Sequence, residues 1–422
     1  MVSLYLRPSS LGGTLTVPPS KSHTLRAILF ATLAKGQSVI HNYLHSPDTD
    51  AMIKACRQLG AHITAFDERL EIKGDLRPPE DVIDAGNSGQ VLRFVGAILA
   101  LFPGYGVVTG DHSIRHSRPV LPLLEGLTQL GAFAVSLRGD GHAPIIIKGP
   151  LKGGSALVNG EDSQPISGLL IASAFGLGKT ELFVENPGEK AWIRLTLDWF
   201  DRLGIAYQND HFERYLIYGG SVIQGFEFTV PSDLSSASYS IGAAIITNSE
   251  LTLRGIDLSD IQGDKEVIFL LQRMGANIAI DSEKKTITVL KGHKLKGASI
   301  DVNEFIDALP LLAVIGCFAE GVTTLVGGKI ARKKESDRIS CIVSELKKMG
   351  AHIDEQEDGL TVERSDLKGA LLQSHADHRM AMSLAVASLG AKGASMIEGS
   401  ECVAKSYRGF FEQLKDLGAQ IE

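Results

Sequence analysis

Cations and hydroxyls collect at a few places in a chain that is acidic overall. The clusters read Ser20-Lys21-Ser22-His23-Thr24-Leu25-Arg26, Gly86-Asn87-Ser88-Gly89-Gln90-Val91-Leu92-Arg93 and Asp162-Ser163-Gln164. Further along come Ser235-Ser236-Ala237-Ser238-Tyr239, Asp307, Lys333-Lys334-Glu335-Ser336-Asp337-Arg338, Asp377-His378-Arg379 and Lys405-Ser406. Each stands where the apolar pattern of a helix begins. A helix N-terminus presents four unpaired N–H groups and about half a positive charge, so it attracts anions. Lys or Arg added there makes a phosphate or carboxylate site. Taken singly, Ser, Asp and Asn would be ordinary caps and the basic residues a solvated face. Capping does not call for a cation in the first turn of helix after helix, however. The set describes a protein built to hold a small polyanion.

The elements that carry these clusters repeat. One phrase recurs six times: Leu59-Gly60-Ala61, Leu130-Gly131-Ala132, Leu203-Gly204-Ile205, Met274-Gly275-Ala276, Met349-Gly350-Ala351 and Leu417-Gly418-Ala419. Its glycines lie 71, 73, 71, 75 and 68 residues apart. Each follows an amphipathic run, as in Ile339, Ile342, Val343, Leu346 and Met349, and sits where a left-handed helix cap belongs. A second phrase interleaves, a small-residue helix followed by an apolar strand. It covers 25–35 then Val39-Ile40, 91–102 then Val107-Val108, 166–178 then Leu182-Val184, 237–248 then Leu251-Leu253, 306–320 then Thr324-Val326 and 379–392 then Met396-Ile397. Six units of about 70 residues group as two domains of three, since a single core rarely grows beyond ~250–300 residues. The boundary is expected in Thr229-Val-Pro231-Ser-Asp233, with one leading strand over Leu4 to Val17.

Composition narrows the function. With 42 Lys+Arg against 49 Asp+Glu the net charge is −7, which disfavours nucleic acid or a membrane surface as partner. Glycine reaches 45 of 422 residues against a usual ~7%, so the fold needs many tight turns. Cys56, Cys317, Cys341 and Cys402 form no CxxC pair or Cys/His cluster, which fits a reducing cytoplasm. The apolar stretch from Phe94 to Val108 is broken by Pro103, Gly104 and Gly106, short of the ~20 residues of a membrane span. The N-terminus lacks the pattern of a signal peptide. Gly178-Lys179-Thr180 mimics the end of a P-loop but follows a helix, so it reads as a turn. His378 beside Asp377 has no second ligand at metal spacing, so no metal and no cofactor are expected.

Pro19-Ser20-Lys21-Ser22, Gly86-Asn87-Ser88-Gly89 with Arg93, Thr109-Gly110 with Arg118-Pro119, Lys334-Glu335-Ser336-Asp337-Arg338 and Asp377-His378-Arg379-Met380-Ala381 resemble the 5-enolpyruvylshikimate-3-phosphate synthase family of enolpyruvyl transferases. They occur in the family's order over nearly the whole chain. The resemblance implies an α/β (α+β) fold, a two-domain inside-out αβ barrel of six βαβαββ repeats with the active site in the interdomain cleft. Residues 20–231 would form one domain, and 1–19 with 232–422 the other. It implies transfer of the enolpyruvyl group of phosphoenolpyruvate to the 5-hydroxyl of shikimate-3-phosphate with release of phosphate, and closure of the domains on binding. Lys21, Gly89, Arg118, Gln164, Arg338, Arg379 and Lys405 would hold phosphoenolpyruvate. Lys21, Ser22, Arg26, Ser163, Gln164, Asp307 and Lys334 would hold shikimate-3-phosphate. Asp307 is assigned as base toward the hydroxyl and Glu335 as the group acting on the methyl, with Lys21 a third candidate for proton transfer. The expected partners are these two small molecules, with no nucleic acid, no membrane, a cytoplasmic location and a monomer as the working expectation.

The chain departs from the family pattern around the acceptor's phosphate. Asp162-Ser163-Gln164 and Glu189-Lys190 stand where the family usually offers Ser-Ser-Gln and another serine. Trp192 replaces Tyr or His and Ile330 replaces Asn; apart from these, Gln90 and Phe94 differ from the usual Thr and Pro after the glycine motif. Asp162 and Glu189 motivate an alternative, an enolpyruvyl transferase of this fold with a different acceptor. The relative acting on UDP-N-acetylglucosamine typically carries a cysteine in its mobile loop, and Gly110-Asp-His-Ser-Ile-Arg115-His-Ser has none. A scaffold that kept the fold but lost catalysis is the remaining reading, opposed by the full set of charged positions.

Overall fold

The structure, a computed structural model, describes residues 2–422. The chain forms two compact units: Pro19–Val230, and the segment up to Pro18 with Pro231–Glu422. Both are built from six-element repeats, seen most plainly over residues 154–217. Strand Gly154–Asn159 leads through helix Ser163–Phe175 to strand Thr180–Glu185, and helix Lys190–Leu203 then leads to the hairpin Tyr207–Asp210 and Arg214–Ile217. The first two strands pair in parallel, which needs a helical crossover, and the hairpin adds antiparallel to the second. Six four-stranded sheets follow this order.

The first repeat opens directly on helix Lys21–Leu33, and its missing strand is Glu227–Thr229, from the end of the same unit, lying parallel to Gln37–His41. In the other unit Gly12–Thr16 plays that part beside Glu250–Arg254. Ser3–Arg7 inserts in the last sheet, between Ser395–Glu398 and Gln420–Ile421. The expected single strand from Leu4 to Val17 is therefore two strands in two sheets. Pro8 supplies no N–H to a ladder and Ser9 folds its hydroxyl back onto the Arg7 carbonyl, which ends the first strand.

One helix of each repeat is buried on nearly every side. Helix Lys21–Leu33 is covered from Ser22 to Thr32, and helix His378–Gly390 from His378 to Leu389. Ala, Ser and Gly let such helices approach closely: a Cβ on Gly168 would stand 2.8 Å from the Arg93 carbonyl. Several of these helices begin earlier than their apolar ranges suggest, at residues 21, 163 and 234. The polar first turn belongs to the helix and is itself buried, so Ser22, His23, Thr24 and Arg26 are not a solvated face. The segment expected as a helix over 91–102 is instead a π turn, Val91–Val95, running into an α turn, Gly96–Leu99. The range 306–320 divides into a 3-10 turn, Asn303–Ala308, and helix Leu309–Phe318.

The six repeated glycines all have positive φ, from 68° at Gly204 to 108° at Gly418. At Gly275 a Cβ would also meet the Lys294 carbonyl oxygen at 2.2 Å. Gly275→Ala should therefore lower stability by at least about 1–2 kcal/mol, read as a lower urea midpoint. An unchanged midpoint would show that this turn tolerates a side chain.

Candidate active site

In the Pro19–Val230 unit the buried helices bring their first turns together. Ser20 caps helix Lys21–Leu33, accepting from the His23 N–H at 3.4 Å. Lys21 lies 3.6 Å from Asp48, a buried acid the sequence reading did not single out. Ser22 accepts a hydrogen bond from the Gln90 amide at 3.2 Å. Arg26 is 1% exposed and donates to the Thr196 hydroxyl at 2.9 and 3.0 Å and to the Ser22 and Trp192 carbonyls at 3.2 Å. Its guanidinium lies 5.0 Å from the centre of the Phe94 ring. No carboxylate is among these contacts, and burial pulls the Arg26 pKa down to about 9. A cation kept in that state is poised to take an anion.

Gly89 stands at the centre of a second group. A Cβ there would meet Arg118 Nη1 at 2.6 Å, Arg93 Nη1 at 2.8 Å and Gln164 Oε1 at 3.0 Å. The π turn carries Arg93, which donates to Gln164 at 3.1 Å and the Pro119 carbonyl at 2.8 Å and pairs with Asp162 at 2.9 Å. Asp162 also caps helix Ser163–Phe175 through the Gln164 N–H. Ser163 gives its N–H and its hydroxyl to the buried carboxylate of Glu189.

In the other unit the acids and cations form a chain. Arg338 is 1% exposed and touches three carboxylates: Asp307 at 2.6 Å, Asp377 at 2.8 Å and Glu335 at 2.9 Å. Asp307 pairs onward with Arg379 at 2.9 Å, and Glu335 with Lys405 at 2.9 Å. Burial opposes the charge on Arg338, but Asp377, Asp307 and Glu335 outweigh it and hold its pKa well above the ordinary value. Arg379 is held high in the same way, chiefly by Asp307. Tyr239 donates its hydroxyl to the Asp307 carbonyl at 3.1 Å, and its ring lies under Arg379. Two further Arg379 nitrogens, Nε and Nη1, are buried with no hydrogen-bond partner. Lys334 follows the 3-10 turn Lys329–Lys333, one residue before Glu335. Asp377 entered the sequence reading only within a motif; here it anchors Arg338.

Asp264 carried no signal in the sequence. It is 1% exposed, and neither oxygen has an aligned hydrogen-bond donor. Burial first, then Asp307 and Asp233, raise its pKa to about 7 against the opposing pull of Arg379 and Ser235. Well below pH 4, the carboxyl is protonated whether the chain is folded or not. Between there and pH 7 only the folded chain keeps the proton, so stability falls as pH rises and stays lower above 7. Asp264→Asn removes that dependence. Its advantage over the wild type in thermal unfolding should be larger at pH 8 than at pH 5, by on the order of 2 kcal/mol. An equal difference at both pH values would mean Asp264 is ionised throughout.

Among the described residues, no helix is long and apolar enough to cross a membrane, and no three His, Cys, Asp or Glu side chains gather to hold a metal ion. The sequence signature of the EPSP synthase (3-phosphoshikimate 1-carboxyvinyltransferase) family matches residues 6–414. The 3-phosphoshikimate 1-carboxyvinyltransferase of Chlamydia caviae is 42% identical, over all of this chain and 95% of its own. That of Acetivibrio thermocellus is also 42% identical, over 99% of each. The solved EPSP synthase from Acinetobacter baumannii superposes with a TM-score of 0.82 at 29% identity, covering 100% of this chain and 99% of its own. The enolpyruvyl transferase NikO from Streptomyces tendae shares the fold, with a TM-score of 0.81 at 19% identity over 100% and 98% of the two chains. The chain belongs to the EPSP synthase (3-phosphoshikimate 1-carboxyvinyltransferase) family.

Proposed function

We propose that this chain works as a 3-phosphoshikimate 1-carboxyvinyltransferase of the shikimate pathway, moving the enolpyruvyl group of phosphoenolpyruvate to the 5-hydroxyl of shikimate-3-phosphate. The observation that carries the reading is the Arg338–Asp307–Arg379 chain, in which the buried Arg379 guanidinium keeps two donor nitrogens unused beside Asp307. Arg338, Arg379 and Lys405, with Lys21, Gly89, Arg118 and Gln164, are the proposed holders of phosphoenolpyruvate. Lys21, Ser22, Arg26, Ser163, Gln164, Asp307 and Lys334 are those of the acceptor.

The chemistry follows from charge. The acceptor hydroxyl must lose a proton as its oxygen attacks C2 of the enolpyruvyl group, while C3 gains one. Phosphate then leaves as the new methyl group gives a proton back. Asp307 and Glu335 are each neutralised by arginine or lysine in the unliganded chain, which makes them weak bases. An anionic substrate that draws Arg338, Arg379 and Lys405 toward itself loosens these pairs and makes the carboxylates more basic when the hydroxyl arrives. Asp307 is assigned to the hydroxyl proton and Glu335 to the methyl, with Lys21 as the further proton carrier. Phosphate release from phosphoenolpyruvate, followed with and without shikimate-3-phosphate and with unphosphorylated shikimate in parallel, tests the reading. Release should require the acceptor; release at the same rate without one would overturn it.

A further inference from the structure

Glu189 is a carboxylate in an unexpected seat. It is 1% exposed, and its backbone adopts φ 46° and ψ 41°, a left-handed conformation that costs a non-glycine residue energy. One of its oxygens accepts both the Ser163 N–H at 3.0 Å and the Ser163 hydroxyl at 3.1 Å. Ser163 opens a 13-residue helix, where backbone N–H groups and the helix dipole favour an anion. The next N–H, that of Gln164, is held by Asp162 at 3.0 Å. The first two donors of this helix are thus engaged by carboxylates of the chain itself. Arg26 binds Thr196 and the Trp192 carbonyl on the helix that Glu189 precedes, yet Glu189 is not among its partners. One oxygen of the carboxylate holds both Ser163 donors, while the buried cation nearby keeps only neutral ligands.

We propose that Glu189 is a specificity-determining residue for the acceptor: a tethered competitor that holds the Ser163 seat against the acceptor's phosphate. This rests on the reading of Ser163 as an acceptor-binding residue given above. An ionised carboxylate and a phosphate are both acceptors only, so they cannot share two donors and they repel each other. The phosphorylated acceptor must displace Glu189 before it can use Ser163. A neutral hydroxyl in the same place could instead donate to the Glu189 carboxylate. Glu189 therefore narrows the preference for shikimate-3-phosphate over shikimate.

Calorimetric binding of shikimate-3-phosphate and of shikimate to the full chain, in the wild type and in Glu189→Ser and Glu189→Gln, tests this. Glu189→Ser should tighten shikimate-3-phosphate binding about tenfold or more and leave shikimate unchanged or weaker. Glu189→Gln, which keeps the shape and loses the charge, should act in the same direction by several-fold and decides the question if the serine variant fails to fold. Unchanged or weaker binding of shikimate-3-phosphate in the variants would overturn the proposal. Calorimetry reads binding without turnover, so tighter binding by a chain that releases no phosphate would uphold this role of Glu189 while overturning the proposed reaction.

Discussion

Replacing Asp307 with Asn should lower turnover by ~10²-fold or more, the usual contribution of a positioned acid or base. The substitution keeps the side chain's size and one acceptor oxygen but removes the charge between Arg338 and Arg379. Both Asn and Ala remove the counter-ion of two buried guanidinium groups, but Asn is preferable because it leaves no cavity and keeps one acceptor oxygen for them. A merely structural Asp307 would give a different result: reduced thermal stability with turnover per folded molecule close to wild type. The pH profile of kcat separates the cases further, since loss of a base flattens the acidic limb while loss of packing leaves it in place. Normal turnover in a folded Asp307→Asn would remove this residue from the mechanism.

Arg26→Met should raise the acceptor KM by roughly 10- to 100-fold, as expected for losing a charge-assisted hydrogen bond worth about 1.5–3 kcal/mol. The KM for phosphoenolpyruvate should move little. The stability of the unliganded chain gives the sharper contrast. Arg26 is buried with no carboxylate partner and its pKa is pulled down by that burial, so a methionine of similar length should leave the unfolding midpoint unchanged or higher. Strong destabilisation with an unaltered acceptor KM would assign Arg26 to packing against Phe94 and Thr196 instead.

The repeat architecture was legible because it is written locally. Six glycines that must take positive φ, each closing an amphipathic helix, mark the repeats without knowledge of any long-range contact. The first turns that gather the site were legible for a similar reason, as polar residues interrupting apolar helices. The pairing within the site was not. Arg338 meets Asp377, and Asp307 meets Arg379, only because separate repeats pack their helix starts together, and no spacing in the sequence encodes those meetings. The acids flanking the cations read as catalytic partners or caps; in the structure they are also the counter-ions that let arginines be buried. Asp264 escaped notice because an unpaired buried carboxylate runs against the rule that such groups stay near water. Glu189 was visible as a departure from the family pattern, but its hold on Ser163 depends on a left-handed turn that a glutamate does not advertise.

In the proposed function the two groups of side chains carry out enolpyruvyl transfer to a phosphorylated acceptor. Incubating the purified chain with phosphoenolpyruvate and shikimate-3-phosphate and identifying the products by mass spectrometry tests it most directly. One inorganic phosphate should appear for each enol ether formed, with the acceptor's own phosphate retained. Phosphate without the enol ether, or an acceptor recovered unchanged beside intact phosphoenolpyruvate, would contradict it.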